Sequence, residues 1–274
     1  MSQAVCPKCG KDIEIAEAEP FSISLIGASG CGKTSLMTSA FEQLISIGHR
    51  NDMDVATYAG SANVQNAISE FNRKNLRNGD APTAPYTVIF APKGKNRDFI
   101  THKAIQIFDS DGEMYSSQSE RRNQNQFRFN EGFVVVINPY DLQQFAYTRG
   151  IRSDYRNDPT QVLSVFENLH SEATDIGPSD KVDTPLAIVI THASEACLSP
   201  SNSADVYAPG DGEAVRTFLT DNGALNFINS IEFRFQKVHY FACDTIPKDD
   251  HSDSFAPIYW IAVETNRRVE RYLR

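Results

Sequence analysis

A glycine-rich segment near the start of the chain has the residue types and the spacing that bind phosphate. It follows a G-x-x-x-x-G-K-T pattern, with an apolar stretch before it and a helical pattern after it. Glycines let a backbone wrap around an anion so that several N–H groups point at it, and the start of a helix adds partial positive charge. Lys33 would reach the β- and γ-phosphates of a nucleoside triphosphate, and the Thr34 hydroxyl would hold Mg²⁺, which makes both predicted catalytic residues. The residues of this segment that we predict to bind the nucleotide are Gly27, Ser29, Gly30, Cys31, Gly32, Lys33, Thr34 and Ser35.

A second segment has a carboxylate directly after an apolar stretch. Residues 104–108 are typical of a strand, Asp109 follows, and Gly112 comes three residues later. A carboxylate at the end of a strand can meet the metal that Thr34 holds, so Asp109 is a second predicted magnesium ligand. The alternative is an acidic turn with only a local role.

The elements that must position these residues alternate between strands and helices. We predict strands at 21–26, 54–58, 86–90, 103–108, 133–137, 186–190 and 238–242, and helices at 35–48, 63–76, 116–127, 159–170, 213–233 and 257–273. Gly48 is predicted to end the first helix, and the helical stretch 213–233 to break near Asn222 and Gly223.

The character of the strands predicts the fold class. Several are apolar throughout, which is typical of parallel strands that are buried on both faces. Residues 86–90 and 103–108 are separated by a turn and can pair as an antiparallel hairpin. We therefore predict an α/β three-layer sandwich, in which helices cover both faces of a mostly parallel sheet with one antiparallel strand.

The composition excludes several classes of partner. The 274 residues are 41% hydrophobic and 22% charged, an ordinary balance for a globular protein with a large core. A net charge of −9 without a basic stripe argues against a surface for nucleic acid or anionic lipid. The apolar runs are too short to span a bilayer, and the first residues lack an apolar signal region, so we expect a cytoplasmic protein. Residues 20–274 are predicted to form the main domain, after an appendage at residues 1–19 in which residues 11–19 are expected to be a short linker or β-ribbon.

Two cysteines in that appendage have the spacing of one zinc knuckle. They are Cys6 and Cys9, in the segment Cys-Pro-Lys-Cys-Gly. A structural zinc site normally needs four ligands, and the sequence has no second C-x-x-C pair. The alternatives are a Zn²⁺ ion shared between two chains, one completed by a partner protein, and a tip without metal. Five cysteines, one of them in the phosphate segment, do not suggest a disulfide framework.

The two motifs, in this order and with these flanking strands, resemble the TRAFAC class of P-loop GTPases, which have a Ras-like fold. The resemblance extends over residues 21–272, by motif in the first half and by the order of elements in the second. The wider family includes bacterial GTPases of conflict and signalling gene clusters, some with an N-terminal zinc knuckle. It implies that Asp109 holds Mg²⁺ through water and that the Gly112 N–H contacts the γ-phosphate.

The resemblance also implies roles in the two switch segments. A threonine of the first switch closes over Mg²⁺ and the γ-phosphate, and Thr83 stands in the corresponding loop, with Thr57 and Thr87 as rivals. After the D-x-x-G glycine, Ras-like enzymes have a glutamine that orients water. Here Glu113 takes that position, as a third predicted catalytic residue, and its charge would face the γ-phosphate unfavourably.

The segments that read the base depart from the family pattern. GTPases have N-K-x-D or T-K-x-D after the fifth strand, and here Thr191 fits the first position while His192 replaces the lysine. Ser194 replaces the aspartate, and Glu195 comes one residue late. A hydroxyl cannot accept both guanine N–H donors as a carboxylate does, so the choice between GTP and ATP stays open. Thr191, His192 and the backbone N–H of Ala242 are the predicted contacts with the nucleoside.

The resemblance implies a nucleotide-dependent molecular switch. We expect Mg²⁺-dependent hydrolysis of GTP or ATP, slow without help and regulated by an effector or activating protein. The arginines that could assist within the chain are Arg121, Arg122, Arg149, Arg152 and Arg156. The alternatives are an adaptor or sensor with negligible hydrolysis, and an ATP-specific P-loop NTPase or kinase of another lineage.

Overall fold

The computed structural model describes residues 4–5, 12–13, 18–58, 86–92, 102–109, 125–151, 158–174, 176–177, 180–201, 212–244 and 254–265. The strands in these ranges are β1 (Ala4–Val5), β2 (Asp12–Ile13), β3 (Ala18–Ile26), β4 (Met53–Tyr58), β5 (Tyr86–Pro92), β6 (His102–Asp109), β7 (Gly132–Ile137), β8 (Leu186–Ile190) and β9 (Val238–Ala242). The helices are α1 (Lys33–Arg50), α2 (Gln143–Thr148), α3 (Pro159–Thr174), α4 (Glu213–Asp221), α5 (Leu225–Arg234) and α6 (Ala256–Thr265). Two 3₁₀ turns span Asn125–Arg128 and Pro139–Asp141.

Seven of the strands form one mixed sheet, in the order β4-β5-β6-β3-β7-β8-β9. The strand β5 alone runs against the others, since it pairs antiparallel with both β4 and β6, whereas all pairs from β6 to β9 are parallel. The predicted α/β class and the hairpin of β5 and β6 are therefore confirmed. The parallel strand β3, which precedes the glycine-rich segment, lies at the centre of this sheet.

Two hydrophobic clusters cover the two faces of the sheet. One packs α1 and α6 against a face that includes Phe21 and Ile23, and the other packs α2 to α5 against a face that includes Phe133 and Ile188. The strands β7 and β8 are buried along their whole length. This burial explains why their sequences are apolar without alternation.

The first helix differs from the prediction at both ends. It begins at Lys33 and continues to Arg50, so the expectation that Gly48 ends it is wrong. A Cβ on Gly48 would overlap Val55 of β4 and Phe90 of β5. The glycine therefore lets α1 lie close to the edge of the sheet, a long-range packing requirement that a local helix-stop rule does not include.

The other predicted elements are confirmed where the structure describes them, except that residues 125–127, the described end of the predicted helix 116–127, belong to a 3₁₀ turn. The helical stretch 213–233 is broken at Asn222 and Gly223 into α4 and α5. The last helix begins at Ala256 and is described to Thr265. A two-stranded ribbon forms where β1 pairs antiparallel with β2, but only β2 of the two lies within residues 11–19, where a linker or ribbon was expected. The predicted helix 63–76, and residues 116–124 of the predicted helix 116–127, lie outside the described residues. Within the described part of the chain, no helix is both long enough and apolar enough to cross a membrane.

Candidate functional site

The glycine-rich loop lies at the carboxyl end of β3 and leads directly into α1. Gly30 and Gly32 have φ angles of 78° and 100°, in the left-handed region that favours glycine. A Cβ on Gly27 would lie 2.6 Å from both the Cys31 Sγ and the Val136 carbonyl oxygen. The loop thus needs glycine at these three positions, and its location is where open α/β sheets bind ligands.

The first turn of α1 has N–H groups without a backbone acceptor and no acidic residue to offset its positive end. Its N-cap is Gly32, which has no side chain to cap the helix, and the first turn has no acidic residue. The N–H groups of Lys33, Thr34 and Ser35 have no backbone acceptor among the described residues. Such a helix start is suited to an anion.

Lys33 is folded back onto the loop. Its side chain is only 7% exposed, and Nζ donates hydrogen bonds to the carbonyl oxygens of Gly27 at 2.8 Å and Ala28 at 2.7 Å. Cys31 is buried beneath the same loop, and this burial raises the pKa of its thiol, so the cysteine stays neutral. The loop therefore holds the Lys33 ammonium group against neutral groups, which are two carbonyl oxygens and the Cys31 thiol.

Thr34 and Asp109, one from each of the two motifs, are in direct contact. The Thr34 hydroxyl donates to the Asp109 Oδ2 at 2.7 Å, although the residues are 75 positions apart. Both are half-buried, so their oxygens remain accessible to an ion. A hydroxyl and a carboxylate are oxygen ligands of the type that Mg²⁺ prefers, and these two residues would hold it.

Tyr86 is a neighbour of this pair that sequence reasoning did not single out. It begins β5, the strand that runs against β6, so it lies near the end of β6 where Asp109 stands. Burial and the Asp109 carboxylate together raise the pKa of the Tyr86 phenol. The predicted hairpin of β5 and β6 could have placed Tyr86 near Asp109, but the sequence did not give the register of the two strands.

Thr191 links the loop after β8 to the glycine-rich loop. It is fully buried, and its hydroxyl donates to the Cys31 carbonyl at 3.0 Å and the Ile137 carbonyl at 3.2 Å. Thr191 therefore supports the glycine-rich loop from within the core and does not lie on an open surface. His192 follows with a positive φ of 52°, and its half-exposed ring lies 3.6 Å from a Glu195 carboxylate oxygen.

Ser194 stands where the family has an aspartate, but the Asp244 carboxylate from another loop lies next to it. Asp244, two residues after β9, accepts the Ser194 N–H on Oδ1 at 3.0 Å and the Ser194 hydroxyl on Oδ2. Sequence reasoning missed this residue because it lies 50 positions away. The available signal was an acidic residue just beyond a strand end, next to the expected base loop.

Glu195 and Arg149 both make contacts with residues in or next to α2. The Tyr140 hydroxyl donates to the Glu195 carboxylate, and this hydrogen bond is the main cause of the raised pKa of the Tyr140 phenol. Arg149 donates to the Glu195 carbonyl at 2.8 Å and lies over the Phe145 ring. These contacts tie both side chains to the α2 region.

The backbone N–H of Ala242, predicted to contact a base, is already paired within the protein. It donates to the Ser201 hydroxyl at 3.0 Å, and Ala242 is fully buried. Thr87 is likewise buried in β5, and Thr57 lies within the paired strand β4. The remaining predicted residues, Thr83, Gly112, Glu113, Cys6, Cys9, Arg121, Arg122, Arg152 and Arg156, lie outside the described residues.

The ranges that the structure describes contain no group of three or more His, Cys, Asp or Glu side chains placed to hold a metal ion. No protein-family model matches the chain, and no curated protein is significantly similar to it in sequence.

Proposed function

We propose that the protein is a Mg²⁺-dependent nucleoside triphosphatase that acts as a GTPase-like molecular switch. The observation that carries this proposal is the hydrogen bond between Thr34 and Asp109, because it joins two motifs that are separate in the sequence. A triphosphate bound at the start of α1 would bring a metal ion next to these two oxygens.

Three further features support the proposal. The first turn of α1 has N–H groups without a backbone acceptor among the described residues, Lys33 supplies a cation, and the central position of β3 suits a ligand at the carboxyl ends of the strands. The mostly parallel sheet with one reversed strand is also what the Ras-like resemblance implies. Lys33 and Asp109 would bind and orient the phosphate groups and the metal, which supplies charge neutralisation when bound.

A second candidate is an adaptor that binds the nucleotide with negligible turnover. Glu113 favours it, because an acidic side chain stands where the resemblance calls for a neutral amide. Both candidates need a protein partner, either to stimulate hydrolysis or to recognise the bound state.

The test is the nucleotide content and the turnover of the purified protein. We expect a copurifying purine nucleotide and single-turnover phosphate release well below one per second, since unaided Ras-type turnover is on the order of 10⁻⁴ per second. A variant Lys33→Ala that binds a Mg²⁺-triphosphate as well as the wild type would contradict both candidates. Absence of phosphate release over many hours, with tight binding retained, would favour the adaptor.

A further inference from the structure

A cavity of about 850 Å³ lies between α2, the start of α3 and the turn that joins α4 to α5. We call it the α2 cavity. None of the described residues that line it belongs to the glycine-rich loop, so it is separate from the proposed phosphate site. Its volume lies in the range of about 300–1,000 Å³ that is usual for ligand pockets.

The walls of the α2 cavity combine exposed apolar side chains with negative charge. Tyr147 and Ile151 line it and are 83% and 46% exposed. Asp141 and Asp158 add two carboxylates, and none of the described lining residues is basic. The cavity therefore complements a ligand in which a cation is joined to an apolar group.

The start of α3, at the wall of this cavity, is already saturated with acceptors. Pro159 has no N–H group, and the Asp158 carboxylate accepts the Thr160 N–H at 2.8 Å. The Asp158 carbonyl accepts the N–H groups of Gln161 and Val162. Since the carboxylate also offsets the positive end of the helix, this helix start does not favour an anion.

Asp141 and Pro159 connect the α2 cavity to the glycine-rich loop. Both also line a small void of about 10 Å³ against Ala28, whose carbonyl accepts from the Lys33 ammonium group at 2.7 Å. The thiol of Cys31 has a raised pKa mainly because it is buried, and the Asp141 charge contributes to this rise. A negative charge of the α2 cavity therefore acts on the loop, where it opposes the binding of phosphate.

We propose that the α2 cavity binds a segment of a protein partner in which an arginine or lysine stands beside an apolar side chain, and that this binding favours the triphosphate-bound state. The inference rests on the proposed function, since it names the kind of partner and its effect on the nucleotide site. The exposed amides of Gln144 and Asn226, which also line the cavity, offer donors and acceptors to a peptide main chain. The net charge of −9 attracts a basic partner as well. A cation beside Asp141 offsets a charge that opposes phosphate, so partner and triphosphate should each increase the affinity for the other.

Peptide binding to the full-length protein tests the docking. The probe is a fluorescent peptide with one arginine between two leucines, and the matched peptide has citrulline, a neutral residue of the same shape, in place of the arginine. We expect a dissociation constant of about 10–100 µM for the arginine peptide, as for a small ligand of that size, and about tenfold weaker binding of the citrulline peptide. Equal affinities, or no binding of the arginine peptide at millimolar concentration, would overturn the inference. Spermidine that competes as well as the unlabelled arginine peptide would assign the cavity to a small polyamine and would overturn it too.

Variants of the cavity wall locate the binding. A protein that carries both Asp141→Asn and Asp158→Asn should bind the two peptides equally, and asparagine still caps α3, so the loss of charge is separated from the loss of the cap. Tyr147→Ala should weaken the binding of both peptides by about tenfold. The controls Asp183→Asn and Phe233→Ala remove an exposed carboxylate and an exposed ring that do not line the cavity, and they should behave as wild type. A preference for arginine that persists in the double variant would place the peptide elsewhere and contradict the inference.

Triphosphate affinity in the presence of the peptide separates this inference from the proposed function. Saturating arginine peptide should tighten the binding of a Mg²⁺-triphosphate by about threefold or more. Unchanged or weaker triphosphate binding would overturn the inference and leave the proposed function intact. If the wild type binds no Mg²⁺-triphosphate at all, the proposed function fails and the regulatory role fails with it, whereas the peptide comparison still decides whether the cavity docks a basic segment. That comparison uses only wild-type protein, so it decides the docking even if a variant does not fold.

Discussion

The hydroxyl of Thr191 donates a hydrogen bond to the backbone carbonyl of Cys31, 160 residues away in the sequence. This contact couples the loop after β8 to the glycine-rich loop through one buried side chain. The shape of the glycine-rich loop therefore depends on a residue of a distant loop as well as on its own glycines.

Replacing Thr191 tests this coupling. Thr191→Val keeps the shape but removes the donor, so the buried Cys31 carbonyl loses its partner, and we expect the free energy of unfolding to fall by about 1–3 kcal/mol. Triphosphate affinity should fall as well. Thr191→Ser is the matched control, because it keeps the hydroxyl, and urea denaturation with calorimetric titration measures both effects. Equal stability of the Val and Ser variants would show that the hydrogen bond contributes little.

Lys33→Ala should abolish tight triphosphate binding. It removes the buried cation at the start of α1. Its Nζ donates to the Gly27 and Ala28 carbonyls and also contacts the Cys31 Sγ, so urea denaturation first checks that the variant is folded. Lys237→Ala, which removes a surface lysine paired with Asp183, is the control for a loss of charge. Isothermal calorimetry should give wild-type affinity for the control and no measurable binding for Lys33→Ala; unchanged affinity would mean that the phosphates bind elsewhere.

Asp109→Ala should weaken the Mg²⁺ dependence of triphosphate binding. The carboxylate accepts from Thr34, and removing such a partner of a metal ligand typically costs about 10–100-fold in metal affinity. Asp109→Asn keeps an acceptor for the Thr34 hydroxyl and separates the loss of charge from the loss of the hydrogen bond. Magnesium titrations at fixed nucleotide concentration measure the effect, and superimposable curves for the wild type and the Ala variant would exclude a role for Asp109.

His170 should make the fold less stable in mild acid. The imidazole is 2% exposed, packs against Phe133 and Phe166, and has a pKa lowered to about 4, mainly by burial and further by Arg234. The unfolded chain takes up this proton near pH 6.5, so stability falls as the pH falls from 6.5 towards 4, and this contribution levels off below.

The variant His170→Gln isolates that contribution from the titration of carboxylates. Between pH 7 and pH 4.5, the wild type should lose about 2–3 kcal/mol more of its unfolding free energy than the variant does. Urea denaturation at several pH values provides the comparison. Parallel pH profiles for the two proteins would contradict a lowered pKa at His170.

Gly132→Ala should destabilise the sheet and helix contact at the start of β7. A Cβ at this position would overlap Ile261 of α6, and overpacking of this kind typically costs about 1–3 kcal/mol. Ile261→Ala alone should also be destabilising, because it leaves a cavity. In the double variant the new methyl group partly fills that cavity, so the cost should be smaller than the sum of the two single changes. Additive costs in denaturation measurements would show that the two positions are independent.

The sequence predicted those parts of the site that lie within one segment. The glycines, Lys33 and Thr34 belong to one continuous stretch of sequence with a known spacing. The apolar runs of β7 and β8 predict buried parallel strands without any knowledge of the strands beside them. The meeting of Thr34 with Asp109 could be predicted because both follow strands that end at the same edge of the sheet. These features need no knowledge of loop conformation.

The missed features depend on contacts between loops. Asp244 reaches Ser194 only because β8 and β9 are neighbours in register, and the sequence does not specify which atoms of two loops will meet. Gly48 was misjudged for a related reason, since its role is to admit β4 and β5 close to α1. Which distant polar groups pair depends on the tertiary structure, and the spacing of residues within a motif gives no information about it.

The folded-back Lys33 makes ligand binding an exchange of partners. A phosphate that takes the ammonium group must displace the carbonyl oxygens of Gly27 and Ala28, which then have to be solvated or find other donors. The net gain from the new ion pair is therefore smaller than its Coulomb energy alone, because two existing hydrogen bonds are lost. Because these two bonds hold the lysine against the loop, the rate at which phosphate binds should depend on how often they break.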